Sequence, residues 1–529
     1  FLLAKQAHSQ SLPRCSTWQP RPTMADYSEL KDDDEGTSCT GYILCSVATL
    51  ALGGFTVVIV LSFLFTGGVG LLLTIASLFA LVLLAVLLWV MTTFTVSGTT
   101  MNIWNYWIPQ IRYALAGFLG SPTAGGAWYA SLTKDNPYVG IGVGPNSTML
   151  YGWEDVAREL ASWGRRTADG TMKRENELGL TFLNSSLFPE TGRIALGLNR
   201  KEHAIGRPYI GRVCDGGRMR ESMACDGSNG WNRAWLRSFF RERMSGNSFH
   251  TADLVWWVSI ILHKILCNMD IEDGEAKRFC LQMKPNVGQV TTVPKRFFLC
   301  PFFKYISGNK ILECLRTSHV DEIRAALIEK SPAEFDGTEN AVKLNYTANL
   351  VMDGLLYAGG LSVPTALQFM LALYYMNDSP DDVKAMDVNN EDHLKNFMWE
   401  TLRRYAPVGC VPRWITEDGG ASWHHQMAVL EMAVKDPRVF PEPYEFKMGR
   451  PGMNSRDNSR SLMWADPANV NNDVCNPDSR ACPGKELSQE IIIAFWQELV
   501  ETGPWTPAPC CTGIKVGAYF PSTFKMTKS

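Results

Sequence analysis

Between Gly41 and Phe94 the chain has no Asp, Glu, Lys, Arg or His. A surplus of positive charge is also lacking: 50 Lys+Arg stand against 53 Asp+Glu, for a net charge of −3. That balance excludes the basic footprint of a nucleic-acid binder, and no nucleic-acid partner is expected. No Cys-x-x-Cys pair occurs among the 14 cysteines, which argues against zinc ribbons, thioredoxin-type chemistry and a small disulfide scaffold. Most of these cysteines are expected to be small buried hydrophobes. Low complexity is missing too: 46% hydrophobic and 19% charged residues describe a chain able to build a large core.

A membrane-spanning helix needs about 20 apolar residues. The uncharged run accommodates two spans, 41–65 and 71–94, turned at Thr66-Gly67-Gly68-Val69-Gly70, with one long span as the fallback. It is too long and too deep for a signal peptide. Trp104, Tyr106 and Trp107 follow at a position suited to the membrane interface. The expected organisation is an extension over 1–23, read as translated upstream sequence or a targeting remnant, then an acidic tail over 24–40. A transmembrane hairpin over 41–95 and one large domain over 96–529 follow. A hairpin places tail and domain on the same side, cytosolic or stromal, at the endoplasmic reticulum or a plastid membrane.

After the hairpin there is no repeat and no long linker. Tyr138–Pro145 is strand-like, Ala252–Cys267 and Ile311–Leu327 are helical, and Asn345–Met376 is a long apolar pattern whose single charge is Asp353. Asp353, Gly359-Gly360 and Pro364 are costly in lipid and common in a bent, buried helix, so a central helix is expected there rather than a third span. The fold class is mainly α with a small β portion.

Three stretches carry chemistry. In Ser479-Arg480-Ala481-Cys482-Pro483-Gly484-Lys485-Glu486, Cys482 stands just before an apolar helix with Leu487, Ile491, Phe495 and Leu499 on one face. The helix start and Arg480 favour a thiolate at Cys482, and a thiolate held between Pro and Gly suits an axial haem ligand. On those residues alone, a buried cysteine beside a helix cap is the stronger reading. Glu400 and Arg403, at i and i+3 in a helical stretch over Asn396–Tyr405, can pair. Asp436–Phe446, with Arg450 after it, is a Pro-rich loop. His424-His425 has no acid or Cys at ligand spacing and reads as a loop pair rather than a metal site.

A Glu-x-x-Arg helix, an Asp-Pro/Phe/Arg loop and Arg-x-Cys-x-Gly before a helix, in that order, resemble the C-terminal motifs of the cytochrome P450 superfamily over most of the chain beyond the hairpin. The resemblance implies a haem-thiolate fold with haem b as cofactor, its iron bound by Cys482, with Arg480 and Gly484 in the cysteine loop. It implies an ion network of Glu400, Arg403 and Arg450. His203-Ala204-Ile205-Gly206-Arg207 is similar to the family's propionate-binding helix, with His203 and Arg207 on one face.

Two departures are informative. Cys475 and Asp478 fall where the family's cysteine loop has Phe and Gly, and Leu361, in Ala358-Gly359-Gly360-Leu361-Ser362-Val363, falls where its central helix has the acid of a proton relay. Both departures, with Leu462–Pro467 and the Cys482–Glu486 core, resemble the fatty-acid-hydroperoxide branch: allene oxide synthase, hydroperoxide lyase, divinyl ether synthase and epoxyalcohol synthase. Leu187–Thr191 is similar to a segment of that branch as well. The branch's central-helix asparagine falls on Leu356, with Asp353 a nearby polar substitute. The resemblance implies a fatty-acid hydroperoxide or another lipophilic molecule as substrate, with no reductase, and a pocket at Leu356, Gly359, Gly360 and Ser362. Core packing is an equal reading of that apolar stretch. Two alternatives stand beside this one: a reductase-dependent monooxygenase relaying protons through Ser362 and water, and a non-catalytic haem-binding membrane subunit.

Overall fold

The computed structural model describes residues 200–214, 232–281, 308–407, 411–417, 422–453, 460–464, 481–511, 513–516 and 521–528, with short pieces before residue 200. The described helices are α1 (Trp153–Ala161), α2 (Arg200–Cys214), α3 (Arg233–Arg243), α4 (Leu254–Cys267), α5 (Gly308–Lys330), α6 (Ala341–Asp353), α7 (Val363–Tyr375), α8 (Glu391–Arg404) and α9 (Lys485–Glu501), besides shorter turns and a short helix over 273–281. The strands are β1 (Thr93–Val96), β2 (Thr99–Asn102), β3 (Ile141–Gly144), β4 (Ser147–Leu150), β5 (Glu175–Leu178), β6 (Ser248–His250), β7 (Val411–Glu417), β8 (Ser422–Ala428), β9 (Trp505–Pro507) and β10 (Lys525–Lys528). One sheet runs β3-β4-β8-β7-β5, antiparallel except for β4 with β8; a second runs β6-β10-β9.

Among the described residues no helix is long and apolar enough to cross a membrane. The expected spans 41–65 and 71–94 lie outside them, apart from helical residues 75 and 77–82 and the start of β1, which pairs with β2. The end of the uncharged run is therefore extended, not helical. Cys475, Asp478, Arg480, Leu187–Thr191, Trp104, Tyr106 and Trp107 also lie outside the described residues. His424 and His425 sit on β8, correcting the loop reading, because β8 is held between β4 and β7.

The long apolar pattern forms one helical run. It is α through Asp353, widens to a π-type turn over Gly354–Ser362, and returns to α at Val363. Such widening collects where a helix serves a site. Pro364 is the second residue of α7, directly after the wide turn. α4 packs on the wide turn, α2 crosses α6, α3 lies on α9, and α9 also meets α7, α8 and α2. Leu487, Ile491, Phe495 and Leu499 are all buried, as their spacing requires.

Asn232 and Asn390 supply side-chain acceptors to the first N–H groups of α3 and α8, and Asn268, at φ 58°, turns the chain out of α4. Along α3, Arg237 and Arg241 both hold the fully buried Glu498 of α9, at 2.6 and 2.9 Å. Arg233 joins Glu490 of α9 at 2.6 Å and Glu391 of α8 at 2.5 Å. These pairs fix α3, α8 and α9 as a unit beside the segment that carries Cys482.

Gly206 marks the closest approach of α2 to α6: a Cβ there would stand 2.2 Å from Leu350 Cδ1 and 3.4 Å from Thr347 Cα. The leucine tip can swing away, but the Thr347 backbone cannot. Gly206→Val is expected to destabilise the domain by about 1–3 kcal/mol, in the range of overpacked sites. A thermal melt checks this; an unchanged melting temperature would show that the crossing has slack.

Candidate active site

Cys482 is half-buried in the turn that precedes α9, and its N–H donates to Trp464 O at 2.8 Å. Gly484 ends that turn as the residue before α9; a Cβ on it would come 3.9 Å from Cys482 Sγ, so the glycine keeps that flank of the sulfur unobstructed. The first amides of a long helix place partial positive charge beside the thiol, which favours the thiolate.

The backbone just before the cysteine is tied to α2. Arg207 is buried and donates from Nη2 to Ala481 O at 2.6 Å. His203, one turn earlier, is buried on the same helix. Of the two positions expected to share a face, Arg207 reaches the cysteine loop and His203 is buried.

Glu400, Arg403 and Arg450 converge. Arg403 Nε and Nη2 reach the two carboxylate oxygens of Glu400 at 2.7 and 2.8 Å, with both side chains almost wholly excluded from solvent. The rest of the guanidinium donates to Val434 O at 2.9 Å, Pro443 O at 2.8 Å and Glu445 O at 3.2 Å. Arg450 Nε reaches Glu400 at 3.2 Å, and its other nitrogens take Pro441, Glu442 and Glu445 carbonyls. The network binds the loop over 441–450 onto α8. Asp436 holds the start of that loop: Arg438 and the Trp153 N–H donate to it, and despite burial these hydrogen bonds keep its carboxyl below the usual range.

Trp464 lies in the Leu462–Pro467 segment that entered the resemblance, but no site role was expected of it. Its carbonyl receives the Cys482 N–H, its indole donates to Ser488 Oγ of α9 at 3.1 Å, and its ring meets Trp399 of α8 edge-on at 4.7 Å. One residue so connects the Glu400 helix to the cysteine turn. Its signal in the sequence is its place in that segment, an aromatic ahead of the cysteine loop.

The expected pocket residues separate. Leu356 is buried in the wide turn and Ser362 is half-buried at its end. Gly359 faces α4, where a Cβ would meet Leu262 Cδ1 at 3.1 Å and Ser259 Cα at 3.6 Å, so it serves helix packing and not an open pocket. Gly360 is buried, yet among the described residues nothing lies within 4 Å of its missing Cβ. Among the described residues, that side of the helix is open.

No family model matches the chain, nor does any curated protein. Solved structures do. A mutant of P450 EryK in complex with erythromycin B is 15% identical over 77% of this chain and 96% of its own, with a TM-score of 0.53. Ligand-free CYP164A2 of Mycobacterium smegmatis is 13% identical over 79% and 99%, with a TM-score of 0.52. P450BioI in complex with hexadec-9Z-enoic acid ligated acyl carrier protein is 12% identical over 76% and 98%, with a TM-score of 0.50.

The chain has the cytochrome P450 fold.

That fold implies a haem b with a cysteine ligand, and the residues present fit one. A thiol waits at a helix N-terminus with its flank kept clear by Gly484, a buried histidine and arginine stand on the adjoining helix face, and Gly360 leaves room on the central helix. Cys482 would supply the thiolate, and His203 and Arg207 the charge and hydrogen bonds for propionates. Glu400, Arg403 and Arg450 touch none of this directly; they brace the loop that leads to Trp464 and the cysteine.

Proposed function

We propose that the chain is a membrane-attached haem-thiolate enzyme that rearranges or cleaves polyunsaturated fatty-acid hydroperoxides without external reductant. The observation that carries this reading is the central helix: from Ala341 to Tyr375 its one carboxylate is Asp353, at the end of α6, and the wide turn from Gly354 to Ser362 contains no acid. An acid in that turn would be the obvious proton relay to oxygen. A hydroperoxide brings its O–O bond ready made and needs no such delivery.

Haem bound at Cys482 supplies an iron whose thiolate ligand favours O–O cleavage. The chain contributes the rest. Arg207 and Trp464 hold the carbonyl and the N–H of the single peptide group between Ala481 and Cys482, and Leu356 and the space at Gly360 offer an apolar wall to an acyl chain. The P450BioI complex carries an unsaturated acyl chain in the same fold, which supports an acyl substrate here. Membrane attachment is supported by the uncharged run and by helical Ile75, Phe79, Leu81 and Val82, which lie 43–70% exposed. The acidic tail and the catalytic domain would then share the cytosolic or stromal side.

The test mixes haem-loaded, detergent-purified protein with a polyunsaturated fatty-acid hydroperoxide in the absence of reductase and NADPH. Loss of conjugated-diene absorbance is expected in the wild type and not in Cys482→Ala. No loss from protein with a thiolate-haem spectrum would overturn the reading. Reductase-driven oxygenation is the second reading, favoured by the half-buried Ser362 at the end of the wide turn, whose hydroxyl can pass a proton.

A further inference from the structure

Helices α4 and α5 meet through two histidine rings. His263 Nε2 lies 2.9 Å from His319 Nε2. The second nitrogen of each ring is also engaged: His263 Nδ1 stands 2.7 Å from Ser259 O, and His319 Nδ1 stands 2.9 Å from Glu322 Oε2. The Ser259 hydroxyl adds a longer contact to His263 Nδ1, at 3.4 Å. Phe279, from the helix over 273–281, packs on both rings at 5.1 and 4.6 Å.

Counting protons fixes the state of each ring. A carbonyl only accepts, so His263 Nδ1 carries a proton. Burial, and then the neighbouring His319, push His263 down to about 3, which leaves this ring neutral with its Nε2 lone pair aimed at His319. Glu322 is held below the usual carboxylate range, first by its hydrogen bond from His319, and is ionised at neutral pH. His319 thus faces an acceptor at each nitrogen and satisfies both only as a cation. If it loses a proton, one link fails whichever tautomer remains: a lone pair confronts either the carboxylate or the other Nε2.

The surrounding charges are otherwise committed. Arg278 acts on Glu322, Lys264 pairs with Asp270 at 2.7 Å, Asp321 pairs with Arg324, and Arg324 also reaches Asn345 of α6. Lys330 donates to Ile265 O of α4 at 3.3 Å, and the Cys267 thiol, pushed up to about 12 by burial, donates to His263 O and stays neutral. The pair has a specific address. Ser259, whose carbonyl holds His263, also lies with its Cα 3.6 Å from the Cβ position of Gly359, and Leu262 lies 3.1 Å from the same point. One turn of α4 stands between the histidines and the wide turn of the central helix.

We propose that a proton shared by His263 and His319, and balanced by Glu322, is a pH-sensitive latch that holds α4 against the wide turn of the central helix. The latch is closed while the shared proton is bound, and losing that proton breaks one of its two links at His319. The inference does not depend on the substrate, and its test reads no turnover.

The experiment measures amide exchange of the α4 segment in the full, haem-loaded chain at pH 6 and pH 8.5, corrected for intrinsic exchange. Wild-type protection is expected to fall by about tenfold at the higher pH, the scale of losing a charge-assisted hydrogen bond. Glu322→Gln is the discriminating variant: its amide donates to Nδ1 of a neutral His319, freeing Nε2–H for His263. The latch then closes without the extra proton, and protection is expected to be high at both pH values. His319→Phe should lower protection at both. Equal wild-type protection at the two pH values, or a Glu322→Gln protein that keeps the wild-type pH dependence, would overturn the proposal.

Discussion

Replacing Glu400 with alanine is expected to cost about 3–5 kcal/mol of stability, the range seen when one partner of a buried ion pair is removed. Arg403 is fully buried, cannot lose its proton, and would be left without its carboxylate. Its remaining acceptors are the neutral carbonyls of Val434, Pro443 and Glu445. The deletion also strips the Lys447 N–H of its acceptor at 2.9 Å and releases one bond of Arg450. Against a typical total of about 5–15 kcal/mol, such a loss takes a large share of the fold's stability. Denaturant titration reads it as a lower midpoint. A double change, Glu400→Met with Arg403→Met, is expected to cost less than Glu400→Ala alone, because it removes the charge together with its partner. A single-variant cost under about 1 kcal/mol would mean that water reaches Arg403 and that the network is not a brace.

The network shows how far the sequence could be read. Glu-x-x-Arg on a helix is an ordinary pair by spacing alone, and only motif order suggested Arg450 as the third member. That Arg403 spends three donor contacts on carbonyls 31–42 positions away depends on how the loop over 441–450 folds back, which no local period encodes. The helix after Cys482 was legible because its apolar residues recur every four positions and burial obeys that period. The central helix was legible as apolar and buried, but its nine-residue wide turn was not. Gly359 and Gly360 signal a weakness in the helix, whereas the close approach of α4 to Gly359 within the wide turn is a tertiary contact that no local pattern encodes. The histidine pair was invisible for the same reason: His263 and His319 lie 56 positions apart, each an isolated histidine on its helix.

Arg207 carries the other large expectation. It is the side chain that ties α2 to the carbonyl next to Cys482, and its donor distance of 2.6 Å is that of a strong charge-assisted bond. Arg207→Met keeps the length and apolar stem of the side chain but deletes the donor, so Ala481 O loses this partner and the turn before α9 loses its tether to α2. A displacement of about 1 Å at a reacting group can cost about a hundredfold in rate. Arg207→Met is accordingly expected to lower the rate of hydroperoxide consumption by about that factor, and to lower haem retention if the same guanidinium also serves a propionate. Arg207→Lys separates the two duties. An ammonium keeps the charge that a carboxylate needs but, as a single point donor, is poorly placed to serve a carbonyl and a propionate together. Haem retained with a slow rate in Arg207→Lys would assign the arginine to positioning the cysteine turn. Haem lost in Arg207→Met and regained with a wild-type rate in Arg207→Lys would assign it to the propionates, and wild-type behaviour in both would show that the turn is held by Trp464 without it.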